Sequence, residues 1–327
     1  MDPETLRTRR EDRRREIRRR RAVAGLALLL VLGAVALALA AGSGGSSSSS
    51  TATTSATAAP RSTTATATAA HPSAAGTASG LAKGAGPSPQ TAVPVLMYHV
   101  IAPPPAGAPF PGLYVPPEEF QQQMLALKSA GWHAVTLDQV RAHWLNGASL
   151  GPGRPIVLSF DNGYQSQYTK ALPVLKSLGW VGVENIQLTG LPPSQGGLGQ
   201  EEIHGLVSAG WELDTQGFSH ADLITLDPEE LRYQVEVARH VVQQRYHVPA
   251  NWFCYPSGHY DEAVVAQVRA AGYVGSTTVV PGWARGTEDP YRTHRLRVLG
   301  GTSGPALLQL IAATESDPPA PASYNGT

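Results

Sequence analysis

The chain has 327 residues and equal numbers of basic and acidic side chains, 25 of each, for a formal net charge of zero. The balance is uneven: residues 1–21 hold ten of the Lys and Arg and five of the Asp and Glu, leaving 15 basic against 20 acidic residues beyond them. A net negative remainder argues against a nucleic-acid surface on the folded part, and the single cysteine, Cys254, excludes an intrachain disulfide.

Residues 22–41 form an uncharged apolar run about as long as the ~20 residues that span a bilayer as a helix. Arg18, Arg19, Arg20 and Arg21 flank it, and such a flank stays in the cytoplasm, so the rest of the chain is expected outside. Ala38-Leu39-Ala40 resembles a signal-peptide cleavage site, but the apolar part of such peptides spans only roughly 7–15 residues. The expectation is a basic cytoplasmic tail over 1–21 and an uncleaved single-pass anchor over 22–41. Residues 42–92 are almost entirely Ser, Thr, Ala, Gly and Pro, without the apolar side chains a core requires. They read as a disordered stalk, either a spacer across a cell wall or an inert linker.

From residue 93 strand and helix signals alternate. Pro94 to Tyr98 reads as a strand, and a helix opens at Pro117 with Phe120, Met124 and Leu127 on one face and Gly131 at its end. A strand from His133 to Leu137 and a helix capped by Thr136 and Gln139, closed near Gly147, come next. The strand ending at Asp161 is third, followed by a helix with Tyr168, Leu172 and Leu175. Strands near 180–187 and 211–216 enclose a helix with Ile203, Leu206 and Val207 inward. Asp227-Pro228 opens another helix. Strands near 251–256, 273–280 and 294–299 follow, with a helix around Val264, Val265 and Val268. This repetition predicts an irregular (β/α) barrel of seven or eight parallel strands over 93–315, with a flexible tail over 316–327.

The apolar run Ile156-Val157-Leu158-Ser159-Phe160 ends in Asp161-Asn162-Gly163-Tyr164, placing polar groups at the C-terminal tip of a strand, where parallel α/β folds carry their chemistry. Four more segments accompany it in order: Pro94 to His99, Trp211 to His220, Phe253 to Gly258, and His294 to Val298. Together they resemble the NodB-type polysaccharide deacetylases, and the exported, surface-acting members in particular. The resemblance implies hydrolysis of N-acetyl, sometimes O-acetyl, groups on a polysaccharide such as an N-acetylglucosamine-containing glycan. In that chemistry a divalent, zinc-like metal polarises the acetyl carbonyl and a carboxylate takes the proton of water.

Carried over by motif, the base is Asp161 and the metal triad is Asn162, Gln216 and His220. The family has Asp and His at the first two of these, and neutral carboxamides offer a metal no charge, so the site is expected to be weak or absent. Asp214 is a candidate replacement ligand or else a solvated loop carboxylate. The resemblance also places Arg295, otherwise an ordinary surface Arg, where an Arg orients the base, and the backbone N–H near Ser257, in what is also a tight strand-to-helix turn, where an oxyanion donor would sit. His99 is either a catalytic acid or a hydrogen-bonding support; His294 and His259 are candidate acids, and the family's late Leu-x-x-His segment is not visible. Tyr255 and Tyr164 are candidate sugar contacts, while Tyr98, Trp211, Phe218 and Trp283 default to core. Three readings follow: a glycan-binding protein without turnover, an enzyme with a rearranged metal site, and a wall-anchored structural or partner-binding domain.

Overall fold

A computed structural model describes residues 86–191, 196–316 and 318–326. The expected cytoplasmic tail and anchor, and the stalk as far as residue 85, lie outside the described residues. No helix among the described residues is long and apolar enough to cross a membrane.

Eight parallel strands form one curved sheet: β1 (Val95–Tyr98), β2 (Trp132–Val135), β3 (Arg154–Asn162), β4 (Val183–Ile186), β5 (Glu212–Thr215), β6 (Trp252–Cys254), β7 (Gly275–Thr277) and β8 (Leu296–Arg297). Their order is β7-β6-β5-β4-β3-β1-β8, with β2 also paired to β3. A parallel bridge between Thr277 and Thr293 links the β7 edge to the segment entering β8, as the expected (β/α) barrel requires. β3 is the longest strand, and its residues Ile156 to Asp161 are all buried, the pattern of a parallel strand covered on both faces. On its helix-facing side Phe160 stacks between Tyr98 at 5.6 Å and Trp211 at 4.9 Å, which fixes the strand one residue before Asp161.

The helices are α1 (Pro117–Ser129), α2 (Leu137–Asn146), α3 (Leu172–Leu178), α4 (Gln200–Ser208), α5 (Pro228–Arg232), α6 (Ala238–Tyr246), α7 (Glu262–Ala270) and α8 (Gly304–Ala313). α1 starts on Pro117 and buries Phe120, Met124 and Leu127, one helical face. The capping box of Thr136 and Gln139 opens α2 and left-handed Gly147 closes it. Thr136 thereby ends the second strand earlier than expected, at Val135, because Leu137 already belongs to the helix. α8 was not singled out by the sequence reading, although Ser303 caps it and Leu307 and Ile311 are buried at i, i+4 spacing. Gly304 lets it approach α1, where an added Cβ would come within 2.7 Å of Ala126 Cβ.

Two helices carry π-helical turns that the sequence reading did not anticipate, Gln167–Ala171 before α3 and Tyr233–Val237 between α5 and α6. The expected flexible tail is instead docked over part of its length. Tyr324 and Tyr260 exchange backbone N–H···O bonds of 2.8 and 2.9 Å, and the Tyr260 hydroxyl donates to the Pro321 carbonyl at 2.9 Å. An added strand-like pairing of this kind gives a Pro-rich tail partners that composition alone does not reveal.

Candidate functional site

The C-terminal tips of the strands open into a cleft of about 430 Å³. It is lined by His99 after β1, Asp161 and Asn162 at the tip of β3, Tyr164, Gln216 after β5, His220, Tyr255 and Ser257. Arg295 lies behind Asp161, fully buried. The motif residues, scattered over 197 positions of sequence from His99 to Arg295, are thus gathered in one place.

Arg295 grips Asp161 with both terminal nitrogens: Nη1 donates to Oδ1 at 2.7 Å and Nη2 to Oδ2 at 2.9 Å. Its Nε donates to the Thr278 carbonyl at 2.7 Å, so the guanidinium is anchored in the barrel wall. Asn185 Nδ2 donates to Asp161 Oδ1 at 2.9 Å, and the Cys254 thiol approaches Oδ2 at 3.5 Å. Burial alone would raise the Asp161 pKa, but the charge and hydrogen bonds of Arg295, aided by Asn185, hold it down at about 2. An ionised carboxylate has about four acceptor positions. Three strong donors and one weak thiol use them here, so a water molecule gains access to a lone pair of Asp161 only by displacing the thiol.

Both histidines of the cleft are pushed toward the neutral form. Burial lowers the His99 pKa to about 4 against the pull of Asp161, and its Nδ1 is buried without a partner. Burial likewise lowers the pKa of His220, again opposed by Asp161. Asn162 and His220 both adopt positive φ, 79° and 51°. The Asn162 backbone N–H donates to Gln216 Oε1 at 2.9 Å, while Asn162 Oδ1 is buried with no partner. That bond settles the orientation of the Gln216 amide, since only its oxygen can accept from an N–H.

Two buried glutamines hold the loops in position, and each projects from a π-helical turn. Gln167 Nε2 donates to the His99 and Asp161 carbonyls at 2.9 and 2.8 Å, tying β1 to β3. Gln234 Oε1 accepts from the N–H groups of Phe218 at 3.1 Å and Ser219 at 2.9 Å, bracing the loop that carries His220. π-Turns recur at functional sites because the inserted residue re-aims side chains. Ser257 sits at φ 56° in the turn after β6. The next residue needs to be Gly258, at φ 75°, since a Cβ there would run into the Val279 side chain.

Several expectations are corrected. Asp214 is neither a metal ligand nor a solvated loop carboxylate: it is fully buried in β5, away from the cleft, with Oδ1 accepting from the Trp252 N–H at 2.9 Å. His294 and His259 do not line the cleft; their Nδ1 atoms lie 2.8 Å from the Pro281 carbonyl and 3.1 Å from Asp222 Oδ1. Tyr255 lines the cleft but is fully buried, its hydroxyl donating to Tyr291 O at 2.9 Å and its ring stacked on Tyr260, so it offers no free face to a sugar. Sequence reasoning missed the roles of Asn185, in β4, and of Cys254, which lies inside the Phe253 to Gly258 segment but was given no role there. It also missed Phe110, 69 % exposed on the cleft wall, whose one signal is a lone large aromatic in a Pro/Gly-rich loop.

The side chains at the triad positions do not fit a zinc-like ion. Gln216 Oε1 is committed to the Asn162 N–H, Asn162 brings no charge, and His220 alone retains a side chain of the family's type. Among the described residues no group of three or more His, Cys, Asp or Glu is placed to hold a metal.

A parallel (β/α) barrel that gathers an Asp–Arg pair at the C-terminal mouth of its strands has its candidate site where such folds carry their chemistry. Residues 149–276 match the family model for polysaccharide deacetylases. Over 215 residues the chain is 27% identical to YxkH of Bacillus subtilis (strain 168), a protein assigned to the polysaccharide deacetylases, covering 65% of this chain and 74% of that one. A 63-residue stretch is 36% identical to the poly-β-1,6-N-acetyl-D-glucosamine N-deacetylase of Escherichia coli (strain K12), covering 19% of this chain and 9% of that one. In fold the chain is similar to the Streptococcus pyogenes deacetylase PplD in complex with acetate, with TM-score 0.62 and 24% identity over 68% of this chain and 99% of that one. It is also similar to a polysaccharide deacetylase from Bacillus cereus, with TM-score 0.60 and 24% identity over 68% and 69%. The family model, the relatives and the folds together support a deacetylase-like domain of the NodB type, and the polysaccharide deacetylases are generally dependent on a divalent metal.

Proposed function

We propose that this protein is a cell-surface, polysaccharide deacetylase-like protein whose cleft engages N-acetylated glycan of a cell wall or exopolysaccharide. In this reading residues 1–21 stay in the cytoplasm, 22–41 anchor the chain in the membrane, and 42–92 carry the barrel domain outward. The observation that carries it is the Asp161–Arg295 pair at the base of a cleft formed by strand C-termini, in a domain that matches deacetylases. The Escherichia coli relative, whose name specifies an N-acetylglucosamine polymer, supports the choice of glycan.

Pull-down with purified wall glycan tests the ligand. Retention of the protein is expected, and failure to bind wall glycan or N-acetylglucosamine oligomers overturns the reading. Protease added to intact cells tests the topology: the barrel should be removed while the N-terminal fragment survives. A second reading, turnover, is favoured by one observation, that Asp161 is ionised and lines the cleft. Acetate release from N-acetylglucosamine oligomers, assayed with and without added zinc or cobalt, decides it.

A further inference from the structure

The Gln216 amide stands where the family places a metal-binding imidazole, and it is locked. Its Oε1 accepts from the Asn162 N–H at 2.9 Å, so Nε2 is left as a donor, and no acceptor among the described residues takes it up. Beside it, Asn162 Oδ1 is an acceptor that is buried without a partner. Both residues line the same cleft. The Gln216 Nε2 donor and the Asn162 Oδ1 acceptor can engage the carbonyl oxygen and the N–H of a secondary amide. Met97, Leu113 and Val279, also on the cleft wall, supply apolar surface for a methyl group.

We propose that the cleft is a metal-independent reader of the glycan N-acetyl group, in which the locked Gln216 amide replaces the metal ion. The inference rests on the glycan reading above. The free amine of a de-N-acetylated sugar, in its protonated form, brings only donors. It can satisfy Asn162 Oδ1 but has nothing to offer Gln216 Nε2. It also meets the Arg297 guanidinium on the cleft wall, while the charge of Asp161 is already matched by Arg295. A site built to hydrogen-bond one group discriminates against the analogue lacking it.

The test is calorimetric titration of the full-length protein with a pentamer of N-acetylglucosamine and with the matching glucosamine pentamer, each in EDTA and in excess zinc. The acetylated pentamer should bind at least about tenfold more tightly, and EDTA should change its affinity by less than about twofold, since no metal takes part. Equal affinity for the two pentamers overturns the reader while leaving the glycan reading standing. Binding lost in EDTA and restored by zinc does the same. Binding of neither pentamer overturns both. Gln216→Glu keeps the acceptor for the Asn162 N–H and removes the donor. In EDTA it should lower affinity for the acetylated pentamer about tenfold or more with an unchanged melting temperature, and unaltered affinity would overturn the assignment of Nε2.

Discussion

The two halves of the cleft differ in how completely their polar atoms are satisfied. On the Arg295 side Asp161 accepts two guanidinium N–H groups and one amide N–H, all at 2.7–2.9 Å, and is part of the barrel interior. On the Gln216 side Asn162 Oδ1 is buried without a protein partner. Buried polar atoms that the fold leaves unpaired are destabilising unless something else satisfies them. The first half therefore belongs to stability as much as to chemistry, whereas the second is held open for a ligand.

The largest expected effect comes from breaking the satisfied half. Arg295→Met removes one partner of a buried ion pair and leaves Asp161 charged and unmatched, which should lower stability by about 3–5 kcal/mol in denaturant unfolding. The double variant Asp161→Asn, Arg295→Met should lose less than the sum of the single variants. Additivity in that cycle would mean the two side chains act independently and would remove the basis of the comparison.

A pH titration separates the Asp161 pair from the buried carboxylates of β5 by sign. Asp161 has a folded pKa of about 2, depressed from the ordinary carboxylate value of about 3.9. Its contribution is present above the unfolded value and is lost as pH falls through the folded one, a change of about 3 kcal/mol. Asp214, raised by burial against the hydrogen bond from Trp252, and Glu212, raised by burial and the charge of Asp214, behave oppositely. Their contribution is full in acid and declines as pH rises above about 4. Asp214→Asn should flatten that decline without altering the acid limb, as read from melting temperatures across pH.

The strand tips were legible because apolar runs punctuated by Asp161-Asn162-Gly163 and by Gln216-Gly217 are short and sharply bounded. Resemblance supplied Arg295 as the partner of Asp161, and the coordinates give the bidentate geometry. The roles of Asn185 and Cys254 were invisible: both lie inside buried strands, and only the register of β3 with β4 brings Asn185 opposite Asp161. Gln167 and Gln234 were invisible for another reason. A π-turn shifts the helical phase by one residue, so a pattern sought at 3.6 residues per turn does not mark the residue it turns inward. Burial decided Asp214 and Tyr255, and neither spacing nor composition states which side of a strand faces the cleft.

The support for the open half is expected to show a smaller effect. Gln234→Ala leaves the N–H groups of Phe218 and Ser219 without their acceptor, although Phe218 keeps a second bond to the Gln234 backbone carbonyl. Stability should fall by about 1–3 kcal/mol, and glycan affinity should fall further than in Leu125→Ala, a change at an exposed position of α1 outside the cleft. Equal affinity in the two variants would show that the His220 loop does not need this brace.

The smallest effect should come from the rim. Phe110 is 69 % exposed, so Phe110→Ala removes little buried surface and should shift stability by no more than about 0.5 kcal/mol. A large apolar ring left in water on a cleft wall is the kind of surface that a sugar ring covers with its C–H face. Partial burial of such a ring is worth about 1 kcal/mol, so the variant should bind an N-acetylglucosamine oligomer roughly fivefold more weakly, and Phe110→Tyr should bind as the parent does. Because Phe110 contacts any sugar ring and not the acyl group, the loss should be the same for acetylated and de-acetylated oligomers. The ratio between them should change only when Gln216 or Asn162 is altered. A change in that ratio with Phe110→Ala would mean that discrimination is spread over the rim, and the contrast between a satisfied half and an open half would no longer locate it.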